Sequence, residues 1–74
     1  MAASTIVVQY GDGSPARKVR VRLGFREGLT VERFTDNHGQ VVVDHASVGR
    51  ATVYVSGRDY GSFNAPGRMA ITIS

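Results

Sequence analysis

The chain has no cysteine and no tryptophan, and only one of its nine cations is a lysine. Without cysteine, disulfide staples and thiolate metal sites are excluded, although no compartment is chosen by that absence. Long apolar runs are missing as well. The longest, at residues 6–8 and 41–43, fall far short of the roughly 20 residues a membrane-spanning helix needs, so no membrane insertion is expected. The opening "MAASTIVVQY" has neither the basic start nor the apolar core of a signal peptide. The expected location is cytoplasmic if the chain is full length, and extracellular if it is a fragment of a secreted precursor. Helical signal is absent too: β-branched residues and glycines recur, and no apolar stripe keeps a 3.6-residue spacing.

Seventy-four residues make one domain, spanning 1–74. A chain this short buries only about 60% of the surface it exposes when unfolded, which leaves a thin core. Small folds add disulfides, metals or association, and the first is closed here. No cofactor or metal is expected, so association with a protein partner or a second copy is the remaining staple.

What is present is alternation with a period of two, the strand signature. Ile6, Val8 and Tyr10 fall on one side of a first strand. In "KVRVRLGF", Val19, Val21, Leu23 and Phe25 oppose Lys18, Arg20 and Arg22, an apolar-in, charged-out pattern. "LTVERFTD" offers Leu29, Val31 and Phe34, and the three-residue step to Phe34 predicts a bulge or strand end near Arg33. Val41 and Val43, then Ala51, Val53 and Val55, then Met69, Ile71 and Ile73 complete the set. With turn signals between these segments, the pattern predicts an all-β fold: a small antiparallel Greek-key β-sandwich of six or seven strands, with a five- or six-stranded barrel as the alternative.

The turns carry a family likeness. Asp12-Gly13-Ser14-Pro15 precedes Val19-Val21-Leu23; Thr35-Asp36-Asn37-His38-Gly39 runs straight into an apolar strand; Gly49 to Gly57 reads G-x-x-x-V-x-V-x-G. Over residues 10–61 this resembles the carboxypeptidase regulatory-like domains and their transthyretin-like relatives. The resemblance implies a seven-stranded Greek-key sandwich and a non-catalytic structural or adhesive role. It departs at "RDYGSFNAPG", where Tyr60-Gly61 stands in place of the G-Y that many relatives carry after the penultimate strand. One branch of similar sandwiches forms a Lys–Asn isopeptide bond; Lys18, Asn64 and Glu32 would be its counterparts, and their spacing argues against it.

Candidate sites are few. His38 and His45 sit at opposite ends of one strand, about 20 Å apart if extended, so they cannot share a metal. The residues around His38 read instead as a type I turn, with Gly39 left-handed. No nucleophile elbow or carboxylate pair appears, and no enzyme is expected. The net charge of +3, carried almost wholly by arginine, allows polyanion binding. A candidate face for it is the ladder Arg17, Lys18, Arg20 and Arg22; with aromatics nearby, such a face can hold single-stranded nucleic acid. Outward charges also keep a small β protein soluble. Residues 58–67 read as a loop, with Arg58, Tyr60, Phe63 and Asn64 as candidate binding residues. The leading expectation is a structural or protein-interaction module, self-associating or part of a larger assembly. Nucleic acid or another polyanion is the alternative partner. Carbohydrate, held by Tyr54, Tyr60 and Phe63, comes third.

Overall fold

The computed structural model describes residues 2–73. Eight strands follow one another: β1 (Ala2–Tyr10), β2 (Arg20–Phe25), β3 (Gly28–Leu29), β4 (Arg33–Phe34), β5 (Gln40–His45), β6 (Gly49–Val55), β7 (Arg58–Ala65) and β8 (Arg68–Ile73). They form two sheets. One has the order β5-β1-β8; the other has the order β3-β2-β6-β7, with β4 also pairing β2. The two sheets share one core and, among the described residues, are not joined by strand pairing, an all-β arrangement consistent with the small sandwich or barrel expected from the sequence. Among the described residues no helix is long and apolar enough to cross a membrane.

Period two places the core. Ile6, Val8, Val41, Val43 and Ile71 project inward from the three-stranded sheet. Val21, Leu23, Ala51, Val53 and Val55 meet them from the other, and all ten are buried. Two expectations need correction. The sheets are not wholly antiparallel, because β1 and β8, the first and last strands, pair in parallel from Thr5–Arg68 to Tyr10–Ile73. Parallel neighbours need a long crossover, and here the whole of the second sheet lies between them.

The second correction concerns residues 29–34. Leu29, Val31 and Phe34 do not enter the core; they are 59%, 80% and 60% exposed. The strand expected there is two short stubs on one edge of β2, β3 pairing at Gly24–Leu29 and β4 at Arg20–Phe34. Thr30 explains the gap. Its backbone N–H donates to the Leu23 carbonyl at 2.9 Å, while its hydroxyl accepts the Leu23 N–H at 2.9 Å. A side chain thus takes the place of the backbone carbonyl, and the ladder stops there. Counted as one interrupted edge, β3 and β4 give seven strand positions.

The turn at residues 36–39 forms as the sequence predicts. Gly39 N–H donates to the Asp36 carbonyl at 3.0 Å, and Gly39 has φ of +73°. Glycine is required there twice over: the conformation is left-handed, and an added Cβ would run into the Val8 carbonyl oxygen of β1. One side chain nearby stitches the loop before β2 to the end of β4. The buried Thr35 hydroxyl donates to the Ala16 carbonyl at 2.6 Å and accepts the Val19 N–H at 3.0 Å.

Candidate functional site

The outer face of the four-stranded sheet is the richer in chemistry. Arg20 and Arg22 point outward from β2, as their alternation with buried Val21 and Leu23 requires. They do not stand as a free ladder. Glu32, from the interrupted edge, accepts from Arg22 at 2.8 Å and lies 3.6 Å from Arg20. The Arg22 hydrogen bond holds the Glu32 carboxyl below its ordinary range, with the nearby positive charges adding to the effect. Arg17 and Lys18 belong to a different place. They occupy a turn before β2, where Lys18 has φ of +55°, so the four cations do not share one strand face.

Tyr54 lies beside them. It pairs across the sheet with Arg22, and its ring lies over Gly24, where an added Cβ would come within 2.7 Å of the ring edge. Glycine at this point leaves room for the ring edge beside the β2 backbone, with Leu29 at its flank. Arg20, Arg22, Glu32, Tyr54, Leu29 and Gly57 thereby line one shallow cleft. It offers two guanidinium groups, one carboxylate and one aromatic ring.

The expected binding loop at 58–67 is corrected: residues 58–65 are strand β7, hydrogen-bonded along β6. Arg58 and Asn64 are exposed, whereas Tyr60 and Phe63 pack against the core. A register shift between Thr52 and Tyr54 on β6 reconciles their odd spacing with one shared face, and Gly61 there has φ of +113°. Tyr60, Phe63 and Tyr54 therefore form no common platform: two face inward and one outward.

The histidines part as their positions require. His38 is exposed in its turn. The adjoining Asp36 carboxylate accepts the His38 and Gln40 N–H groups at 2.8 and 3.0 Å. Those two backbone bonds, the Gln40 one first, hold Asp36 below the usual carboxylate range. His45 is buried and meets a residue the sequence reading passed over, Ser4. Ser4 Oγ and His45 Nε2 are 2.8 Å apart, and His45 Nδ1 lies 2.7 Å from the Ser47 carbonyl. A carbonyl only accepts, so Nδ1 carries the proton and Nε2 accepts from the serine hydroxyl. Ser4 Oγ also accepts the Gly67 N–H at 3.2 Å, and the Phe25 ring lies 5.0 Å from the imidazole.

A serine bonded to a histidine is the pairing that nucleophilic catalysis uses, but Ser4 is 1% exposed and already holds the β7–β8 turn. In this position the pair ties β1, β5 and two turns together at one end of the core. Its signal was present in the sequence: Ser4 is in phase with Ile6 and Val8, and His45 with Val41 and Val43. Among the described residues no three of His, Cys, Asp or Glu gather closely enough to hold a metal ion.

The outer face of the three-stranded sheet contrasts with all of this. Thr5, Val7, Val42 and Ala70 lie side by side through the pairings Thr5–Val42 and Val7–Ala70. Among the described residues its only charges are Asp44 on β5 and Arg68 on β8, on opposite sides of β1. No protein-family model matches the chain, and no curated protein matches it either.

Proposed function

We propose that the chain is a non-catalytic structural or protein-interaction module that works through its outer surfaces and associates with copies of itself or within a larger assembly. The observation that carries this reading is the amount of apolar side chain left outside so small a core. Leu29, Val31, Phe34, Val42 and Val48 are all exposed, while among the described residues the buried apolar set is Ile, Val, Leu and Ala, with no Phe or Tyr. Scattered exposed apolar residues are ordinary, but three within six positions of one edge make a patch that a partner would cover. The two-sheet arrangement and the left-handed Gly39 turn support the likeness to carboxypeptidase regulatory-like and transthyretin-like domains, which points the same way. So does the burial of the Ser4–His45 pair, which leaves its hydroxyl without access to a substrate.

Polyanion binding is the competing reading, and Glu32 weakens it. The carboxylate takes one donor of Arg22 and sets a negative charge beside both guanidinium groups that a phosphate would approach. Light scattering over a range of concentrations, at two salt levels and with or without a single-stranded oligonucleotide, separates the two. The expected result is a mass that rises above 8.0 kDa with concentration, resists moderate salt and ignores the oligonucleotide. A constant monomer mass, together with oligonucleotide binding that falls steeply with salt, would replace the module with a polyanion binder.

A further inference from the structure

The geometry points to the outer face of the three-stranded sheet as the contact between two copies of this chain, packed face to face about a two-fold axis parallel to β1. The inference rests on the self-association reading and adds to it the surface, the symmetry and the charge pair that fixes the register.

The face is assigned by alternation. Ser4, Ile6 and Val8 are buried, so Thr5 and Val7 point outward from β1; Val42 and Ala70 flank them on β5 and β8. These side chains are short or β-branched, which gives a flat surface able to approach a second sheet at the usual ~10 Å. The polar residues lie around them. Gln9 and Thr72 sit toward one end, 3.4 Å apart, with Asp44 and Arg68 at the sides. An apolar centre within a polar rim is the anatomy of a protein interface.

Charge decides that the occupant is a second copy. Asp44 is paired with Ala3 and Arg68 with Thr5, so the two lie on opposite edges of the face and two residues apart along β1. Neither takes part in an ion pair among the described residues. A two-fold axis along β1 lays each β5 over the other copy's β8. Each Asp44 then stands about 7 Å along the strand and ~10 Å across the gap from the other copy's Arg68, about 12 Å between Cα atoms, a distance the two extended side chains bridge together. The face complements itself, with two such pairs per dimer. The apolar edge at Leu29 and Phe34 does not, because Arg20, Arg22, Arg26 and Arg33 around it outnumber Glu27 and Glu32, and two copies would meet with like net charge there.

Size is consistent with a specific but weak dimer. Nine residues of β1 and six each of β5 and β8 cover on the order of 350 Å² a side, below the ~1,000 Å² total of stable interfaces, so the contact is a weak one.

Sedimentation equilibrium on the whole chain tests the contact, with circular dichroism to check that each variant keeps its β signal. Val42→Arg should weaken dimerisation at least about tenfold, since Val42 and Arg68 both pair with Thr5 and the new charge would stand against the other copy's Arg68. Phe34→Arg, on the other sheet, should leave it unchanged. Asp44→Arg alone and Arg68→Asp alone should each weaken it about tenfold, and the double exchange should restore it to within about threefold of the parent. The double exchange tests the arrangement itself, because both residues are exposed and misfolding would not be rescued by a second substitution. A parent that dimerises but ignores Val42→Arg and the charge reversals would overturn this face and leave self-association standing. A parent that stays monomeric at every concentration would overturn both.

Discussion

The outer face of the three-stranded sheet carries one acid and one base at opposite edges, whereas that of the four-stranded sheet carries Arg20, Arg22, Glu32, Arg50 and a tyrosine laid over a glycine. Their inner sides differ in the opposite sense. Behind the bland face lie the directed polar contacts, with Gly39 against the β1 backbone and Ser4 bonded to His45 and Gly67. Behind the charged face lie mainly apolar contacts, led by Val21, Leu23, Val53 and Val55, with Tyr60 and Phe63 packed at their margin. A thin core uses its specific interactions where three strands and two turns must be held in register. The outer charges of the other sheet are free to vary at little cost to the fold.

That contrast orders the expected effects of substitution. The largest belongs to Gly39→Ala, which meets both a left-handed φ and the Val8 carbonyl; a loss of about 3 kcal/mol is expected from urea unfolding. A loss below about 1 kcal/mol would show that this turn can relax away from β1 without disturbing the sheet. Ser4→Ala comes next, at about 2 kcal/mol, because it leaves the buried His45 Nε2 and the part-buried Gly67 N–H without their partner. Gly24→Ala, on the charged side, should cost about 1 kcal/mol or less, with the loss read in tyrosine near-ultraviolet dichroism as Tyr54 is lifted from the sheet.

Acid titration gives a smaller and more gradual change. Asp12, Glu32 and Asp36 all have folded pKa values below their ordinary ones, Asp12 mainly through its bonds from Ser14. A lowered carboxyl contributes stability that is fully present above its unfolded value and is lost as pH falls through its folded one. The melting temperature should therefore decline as pH falls below the ordinary Asp value of 3.8. Asp36→Asn keeps an acceptor for both N–H groups, so it should flatten that decline; an unchanged acid limb would remove Asp36 from the account. The smallest effect is reserved for Glu32→Gln. Its ion pairs are solvent-facing, so the melting temperature should barely move. The same change frees Arg20 and Arg22, and any latent affinity for an oligonucleotide should rise; a large drop in stability instead would undo the contrast between the two sheets.

The buried set was legible wherever strands alternate without interruption: Ile6 and Val8, Val21 and Leu23, Val41 and Val43, and the run Ala51, Val53 and Val55. Two segments share a three-residue spacing of apolar side chains, and that spacing had opposite outcomes. Between Tyr60 and Phe63 it marks an irregularity in the β6–β7 pairing that keeps both on the core side. Between Val31 and Phe34 it marks a strand that stops, because the Thr30 hydroxyl has displaced the ladder. Local pattern cannot separate these cases, since the deciding atoms belong to β6 in one and β2 in the other. The candidate surfaces were harder for the same reason. That Glu32 would lie across Arg20 and Arg22, or that Arg68 and Asp44 would flank one strand, depends on pairings between distant parts of the chain. Ser4 and His45, by contrast, could have been read from phase alone.

The parallel pairing of β1 with β8 has a mechanical consequence. Residue 2 emerges at one end of this pair and residue 73 at the other, about 27 Å away along the strand direction. Tension applied at those two points pulls the strands past each other. The six pairs from Thr5 to Tyr10 are loaded together in shear, where a hairpin pulled at its ends would open one bond at a time.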